Sequence, residues 1–307
     1  MPYMRNENAE MRNKHSQRLL PFFILFATLL SMNIALPIGA SAAENLPLHY
    51  LEKNSGRYGA YQKMNPEMPF DLLVAYVNAN VDKAYYEDVE TIENPSQIRA
   101  FVSKHYALPS YYAPNDIVVF PGGGELRAEA AAAFIKMRDA AGETGLHLAI
   151  RSSYRSHGSQ VASYDLVADN YGIAGAEISV ARPGHSEHQL GLALDIMHRE
   201  GTVGPLTGQG FGETQEFFWL LEHGYEYGFI LRYPENYVHI QGFTYEPWHW
   251  RYVGVGTATI MHDKGIETFE EYYGRYLAPD VREKLMRNRI PEPALLLPAA
   301  PRRASAY

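Results

Sequence analysis

The 307-residue chain contains no cysteine. That excludes disulfides, thiolate metal sites, a thiol nucleophile and a lipid-modified N-terminal cysteine. A chain without disulfides must stabilise itself through its core if it is exported. Positive charge is also in short supply: 27 Lys and Arg stand against 35 Asp and Glu, a formal net charge of −8. With no basic stripe to offset that sign, a nucleic-acid partner is not expected. Internal repeats are absent. What is present is ordinary for a globular protein, 46% hydrophobic and 20% charged residues, with tyrosine abundant at 23. The length suits one large domain or two modest ones.

The N-terminus reads as an export signal. Arg5, Arg12, Lys14 and Arg18 precede an uncharged run from Leu19 to Ala43, and Ala40 to Ala42 form a small-x-small cleavage pattern. Left uncut, that run is about long enough to anchor the protein in a membrane. The expected organisation is a signal or anchor over 1–43, an N-terminal lobe of short helices and loops over 44–120, a core over 121–290, and a Pro- and Ala-rich disordered tail over 291–307.

Within the core, "PGGG" (121–124) signals a turn. Leu126, Ala130, Phe134, Met137 and Ala141 then follow at helical spacing, with Gly145 as a stop. "LHLAI" reads as a strand. A helix is expected over 159–171, with Val161, Tyr164, Val167, Ala168 and Tyr171 as its stripe. Another is expected over 214–222, capped by Thr214 and closed by Gly224. "YGFILRY" and "WHWRYVG" read as strands, and Thr268 to Glu271 as a capping box opening a last helix. Strands mixed with helices in this order predict an α+β fold with a small, mainly antiparallel sheet flanked by helices.

The stretch "GHSEHQLGLALDI" (184–196) carries the first chemical signal. Read as a strand, it puts Leu190, Leu192, Leu194 and Ile196 on one face and Gly191, Ala193 and Asp195 on the other. The large face packs on a core. The small face leaves room, into which Asp195 points. A half-buried carboxylate needs a positive partner, which could be a metal ion, an arginine or a helix N-terminus; alternatively, Asp195 simply caps a neighbouring loop. His188, seven residues upstream, shifts the balance towards a metal, because an imidazole and a carboxylate suit Zn²⁺. A catalytic zinc needs a third protein ligand, and any other histidine of the exported part could supply it.

His249 stands out among them, set between Trp248 and Trp250 in "YEPWHWRYVG", as either a core histidine or a held ligand. In a regular strand Glu246 would point away from it. Pro247 marks a bend that could turn both towards one cleft, where Glu246 is a natural general base. Arg155, in "RSSYRSHGSQ", follows a strand end, either as a surface arginine or as a guanidinium that forks onto a carboxylate. Gln160 and Ser186 could line the same cleft.

These motifs together resemble the VanY-type D-alanyl-D-alanine carboxypeptidases, in the zinc peptidase group that also holds lysostaphin and the hedgehog signalling domain. "SEHQLGLALD" fits the pattern Ser-x-His-x-x-Gly-x-Ala-x-Asp, "EPWHWRYVG" the downstream Glu-x-x-His element and "SSYRS" the upstream Tyr-Arg-Ser element. The resemblance runs from about Tyr58 to Leu277. It implies one zinc ion held by His188, Asp195 and His249, and Glu246 as the base that activates water. Arg155 would stabilise the oxyanion or hold the substrate carboxylate, with Gln160, Ser186 and Trp248 shaping the pocket. His185 matches no ligand position. The implied activity is removal of the C-terminal D-alanine from peptidoglycan stem peptides, with the protein outside the cell, in the wall or tethered to the membrane. Three alternatives remain: an L,D-carboxypeptidase acting on tetrapeptide stems, a cell-wall binding protein that has lost catalysis, and an endopeptidase that cuts cross-links, for which a longer open cleft would be required. The presence of Glu246 argues against the second, since a binding module needs no base.

Overall fold

The computed structural model describes residues 46–198 and 210–293. The export signal, nearly all of the Gly-rich 201–210 stretch and the tail beyond 293 lie outside the described residues. Among those described, no helix is long and apolar enough to cross a membrane.

Elements alternate along the chain: α1 (Ser55–Met64), α2 (Phe70–Asn78), β1 (Glu90–Thr91), β2 (Tyr106–Ala107), β3 (Ile117–Phe120), β4 (Gly124–Arg127), α3 (Ala128–Glu143), β5 (Leu148–Ser152) and α4 (His157–Ser179). They continue with β6 (Ala193–His198), α5 (Gln215–His223), β7 (Phe229–Leu231), α6 (Val238–Gln241), β8 (His249–Tyr252), α7 (Val255–Lys264), α8 (Phe269–Tyr272) and α9 (Pro279–Arg287). The expected antiparallel sheet is present, with strand order β5-β6-β8-β7. β3 and β4 form a separate hairpin across the "PGGG" turn, and β1 and β2 a short parallel pair.

One face of the main sheet is core. Leu194 and Ile196 of β6 and Trp250 and Tyr252 of β8 pack with Phe134 and Met137 of α3. The five-residue stripe that begins at Leu126 is buried throughout, although Leu126 itself belongs to β4 and the helix starts at Ala128. Thr214 caps α5 as expected, its hydroxyl accepting from the Phe217 N–H at 3.2 Å. The Thr268 hydroxyl likewise accepts from the Glu271 N–H at 3.1 Å. The helix it opens is one turn that runs into a π-helical turn, Tyr273–Leu277, and α9 follows, so it is not the last.

The two ends of the described chain share a second core. Leu73, Val74 and Val77 of α2 pack with Ala258 and Met261 of α7, Phe269 and Tyr272 of α8, and Val281 of α9. The contact closes at Gly274, where an added Cβ would lie 1.8 Å from the Ala75 carbonyl oxygen. Backbone cannot yield there as a flexible side chain would. Gly274→Ala is therefore expected to destabilise the fold by at least the ~1–3 kcal/mol typical of overpacking. Gly59→Ala, at an exposed position of α1 with nothing within 4 Å of the new Cβ, should be neutral or stabilising by up to ~1 kcal/mol. Thermal unfolding of the two variants measures the contrast.

Two expectations need correction. The helix expected over 159–171 is there, as the first part of α4 from His157 to the interruption at Gly172 (φ 74°, ψ 166°), but its expected stripe is not buried. Only Gln160 and Ala176 are buried on it, while Val161 and Tyr171 of the expected stripe are exposed. The helix lies along the rim of a cleft rather than on a core, so its apolar positions have no buried face to serve. Gly191 is also not a strand residue. It ends a 3₁₀ turn, Glu187–Leu190, at φ 65°, and β6 starts two residues later. An added Cβ would meet Ile117 at 2.5 Å, so this glycine serves a left-handed turn and a close approach to β3 rather than an open face.

Candidate active site

Three segments bring the titratable residues together. Asp195 sits on β6 directly opposite His249 on β8, and residues opposed in an antiparallel pair share a face. His188 comes from the 3₁₀ turn that feeds β6. Glu246 precedes a tight turn at Pro247–Trp248, closed by the His249 N–H donating to the Glu246 carbonyl at 3.0 Å. That turn is the bend expected from Pro247, and it carries the Glu246 carboxylate to 3.6 Å from His249 Nδ1.

Asp195 Oδ1 lies 3.4 Å from His188 Nε2 and 3.3 Å from His249 Nδ1, and the two imidazoles meet edge to face at 5.0 Å. The donor atoms of His188, Asp195 and His249 all fall within 4.8 Å of one another, and all three residues are buried. His188 Nδ1 lies 2.7 Å from the Ser153 carbonyl. Its N–H is thereby committed, leaving Nε2 with a free lone pair. Asp195 Oδ1 has no hydrogen-bond partner. A buried carboxylate oxygen facing two imidazole nitrogens is a donor set that fits a divalent cation, and two nitrogens with one oxygen suit zinc.

The facing carboxylates give the cluster a negative field that favours positive charge, whether a proton or a metal ion. Burial alone would lower the His249 imidazole, but the facing carboxylates of Asp195, Glu187 and Glu246 offset it and raise the group to about 9. Burial opposes ionisation of Asp195 too, yet His188 and His249 hold it well below the usual carboxylate range. Burial pushes the Glu246 carboxyl up to about 7, helped by the charge of Asp195 and opposed by His249 and Arg155.

These residues line one cleft of about 330 Å³, together with Arg151, Arg155, Gln160, Ser186, Tyr233 and Trp248. A larger hollow of about 680 Å³ beside α3 and β5 contains none of the clustered residues. Arg155 is placed by its backbone N–H, which donates to the His188 carbonyl at 3.2 Å. Its guanidinium donates to Gln160 Oε1 at 2.8 Å and Ser152 Oγ at 3.0 Å. The Gln160 amide in turn donates to the Ala181 carbonyl at 2.7 Å, so Gln160 aims the arginine. Ser186 is buried at the cleft wall, and Trp248 is fixed through its carbonyl, which accepts from the Ile196 N–H at 2.8 Å. His185 stands apart, with Nδ1 2.8 Å from the Ser103 carbonyl and its ring against Tyr86.

The sequence reading missed Glu187, Arg232 and Arg251, a buried charged cluster behind His249. The available signal was a lone acid, Glu187, inside a run otherwise destined for burial.

The D-alanyl-D-alanine carboxypeptidase (VanY) family model matches residues 123–255. The YodJ protein of Bacillus subtilis (strain 168) is 40% identical over 209 residues, 63% of this chain and 76% of that protein. The bifunctional D-Ala-D-Ala dipeptidase and D-Ala-D-Ala carboxypeptidase VanXYC of Enterococcus gallinarum is 33% identical over 187 residues, 59% of this chain and 96% of that protein. Among solved structures, the LdcB LD-carboxypeptidase superposes with a TM-score of 0.56 at 41% identity, covering 61% of this chain and 90% of that one. With its motifs, its sheet and its cluster all in the matched span, the chain belongs to the VanY family of D-alanyl-D-alanine carboxypeptidases.

Proposed function

We propose that the protein is a zinc carboxypeptidase that removes the C-terminal D-alanine from peptidoglycan stem peptides by direct attack of water. The observation that carries this is the buried His188–Asp195–His249 cluster with the Glu246 carboxylate beside it in the same cleft. His188, Asp195 and His249 would hold the ion. Zinc bound there would act as a Lewis acid on the scissile carbonyl and on the attacking water.

The rest is the work of the chain itself. Glu246 takes a proton as the water oxygen bonds to the carbonyl carbon. The C–N bond then breaks, and Glu246 passes the proton to the leaving D-alanine nitrogen. Arg155, aimed by Gln160 and Ser152, supplies positive charge to the developing oxyanion or to the substrate carboxylate. Ser186 and Trp248 shape the wall against which the terminal residue rests. The export signal read in residues 1–43 puts this chemistry outside the cell, in the wall or tethered to the membrane.

The purified protein should bind one zinc, release D-alanine from synthetic stem peptides and stop doing so with a chelator. His188→Ala should weaken zinc binding by orders of magnitude; binding as tight as wild type would refute the ligand set. The likeness to the LdcB LD-carboxypeptidase favours a second reading, cleavage of tetrapeptide stems. Running pentapeptide and tetrapeptide in one assay separates the two, with the pentapeptide expected to be the better substrate.

A further inference from the structure

Behind His249, on the side away from Asp195, lies a group of charges with no access to water. Glu187, Arg232, Arg251 and Glu270 are each at most 2% exposed. Glu187 Oε1 accepts from Arg232 Nε and from Arg251 Nη1, both at 2.9 Å. Arg232 also forks onto Glu270 of α8, at 2.7 and 3.0 Å. Arg251 reaches back to the carbonyls of Ile98 and Ala100, each at 2.9 Å. The second oxygen, Oε2, has no hydrogen-bond partner, and neither does His249 Nε2. The two atoms face one another at 3.5 Å.

Desolvating four charges is expensive, and an apolar cluster of the same volume would often stabilise a core as well or better. Stability alone therefore does not account for this group. Its geometry has one asymmetric feature: both guanidiniums engage the same oxygen, which leaves the other aimed at a nitrogen of His249.

We propose that Glu187 is a positioning residue for the metal site. Held by Arg232 and Arg251, it accepts the Nε2 proton of His249 and so keeps the Nδ1 lone pair directed at the metal position. Arg232 and Arg251 set the angle of the carboxylate, and through them the 98–100 segment and α8 are tied to His249. His188 has the equivalent support from the Ser153 carbonyl on its Nδ1, so each imidazole carries its proton on the nitrogen remote from Asp195. The inference rests on the ligand set of the proposed function.

Glu187→Gln is the discriminating variant. Its amide oxygen must take the two guanidiniums, which can only donate, and this turns the amide N–H towards His249 Nε2. The imidazole proton is then driven onto Nδ1. The expected result is a folded protein by near-UV circular dichroism whose zinc affinity, measured by chelator competition, falls ~10–100-fold. Its cobalt-substituted form should show an altered visible spectrum. Glu271→Gln, which disturbs the half-buried Glu271–Arg275 pair elsewhere, should lower stability without moving either readout. Should Glu187→Gln not fold, NMR of the zinc-loaded, nitrogen-15-labelled wild type decides: a His249 Nε2 proton shifted downfield by a hydrogen bond to a carboxylate supports the proposal, and an Nε2 proton without that shift overturns it. Wild-type zinc affinity and cobalt spectrum in folded Glu187→Gln would overturn this inference alone, provided that His249→Ala has lost the metal. A wild-type protein that binds no zinc would remove the ligand set itself.

Discussion

Glu246→Ala is expected to lower kcat by ~10²–10⁴-fold, the usual contribution of a positioned general base, while leaving one zinc bound. The split between activity and metal content follows from position. Glu246 is near His249 but outside the mutually close trio of donors, so on the proposed assignment its loss removes a proton carrier and not a ligand. Its environment suits the role. Burial raises the carboxyl to about 7, which makes its ionised form available near neutral pH. A base acts when ionised, so turnover should fall as pH drops through the Glu246 pKa. A bound cation pulls that value down, so the acid limb of the kcat profile is expected at or below about 7. In Glu246→Ala this limb should disappear from the residual activity. Measuring zinc content and the pH profile on the same preparation tests both halves. Full turnover without Glu246, or loss of the metal with it, would show that the residue has been given the wrong task.

The parts of the site that were legible in the sequence are those whose geometry is local. The seven-residue step from His188 to Asp195 spans only a turn and the start of a strand. The step from Glu246 to His249 spans one proline turn, and Pro247 announces it. Capping by Thr214 and Thr268 is likewise a matter of three residues. What escaped is set by distant partners. Glu187 meets Arg232 and Arg251 from 45 and 64 residues away, and nothing in local spacing says that an arginine just past β7 and another on β8 turn inward to meet it. Gly191 misled for a related reason. Its small size looked like clearance for Asp195, but the space is used by Ile117, a residue of a different hairpin. The α4 stripe was a true helical period, yet a period does not say whether a helix faces a core or a cleft rim. Family resemblance supplied roles for the clustered residues; the physical reason they converge is the β6–β8 register that sets Asp195 against His249.

Stripping zinc is expected to abolish D-alanine release and to lower stability together, because the proposed ligands His188, Asp195 and His249 are buried. Without the ion, Asp195 keeps a carboxylate oxygen inside the protein with no hydrogen bond, beside His188 and His249. Glu246 adds a further buried acid next to His249. Burying these carboxylates costs desolvation, and a cation bound among them offsets it. Any ion that binds the folded chain alone stabilises it by mass action, about 4 kcal/mol at free zinc 1,000 times the dissociation constant. Thermal unfolding at buffered free zinc should therefore show Tm rising with zinc concentration. Magnesium should give no such rise, since it prefers an oxygen octahedron to two imidazoles and one carboxylate. His188→Ala should flatten the zinc dependence, whereas Glu246→Ala should retain it. A Tm indifferent to zinc in the wild type would mean that the cluster is held by its own hydrogen bonds and that catalysis must be sought elsewhere in the cleft.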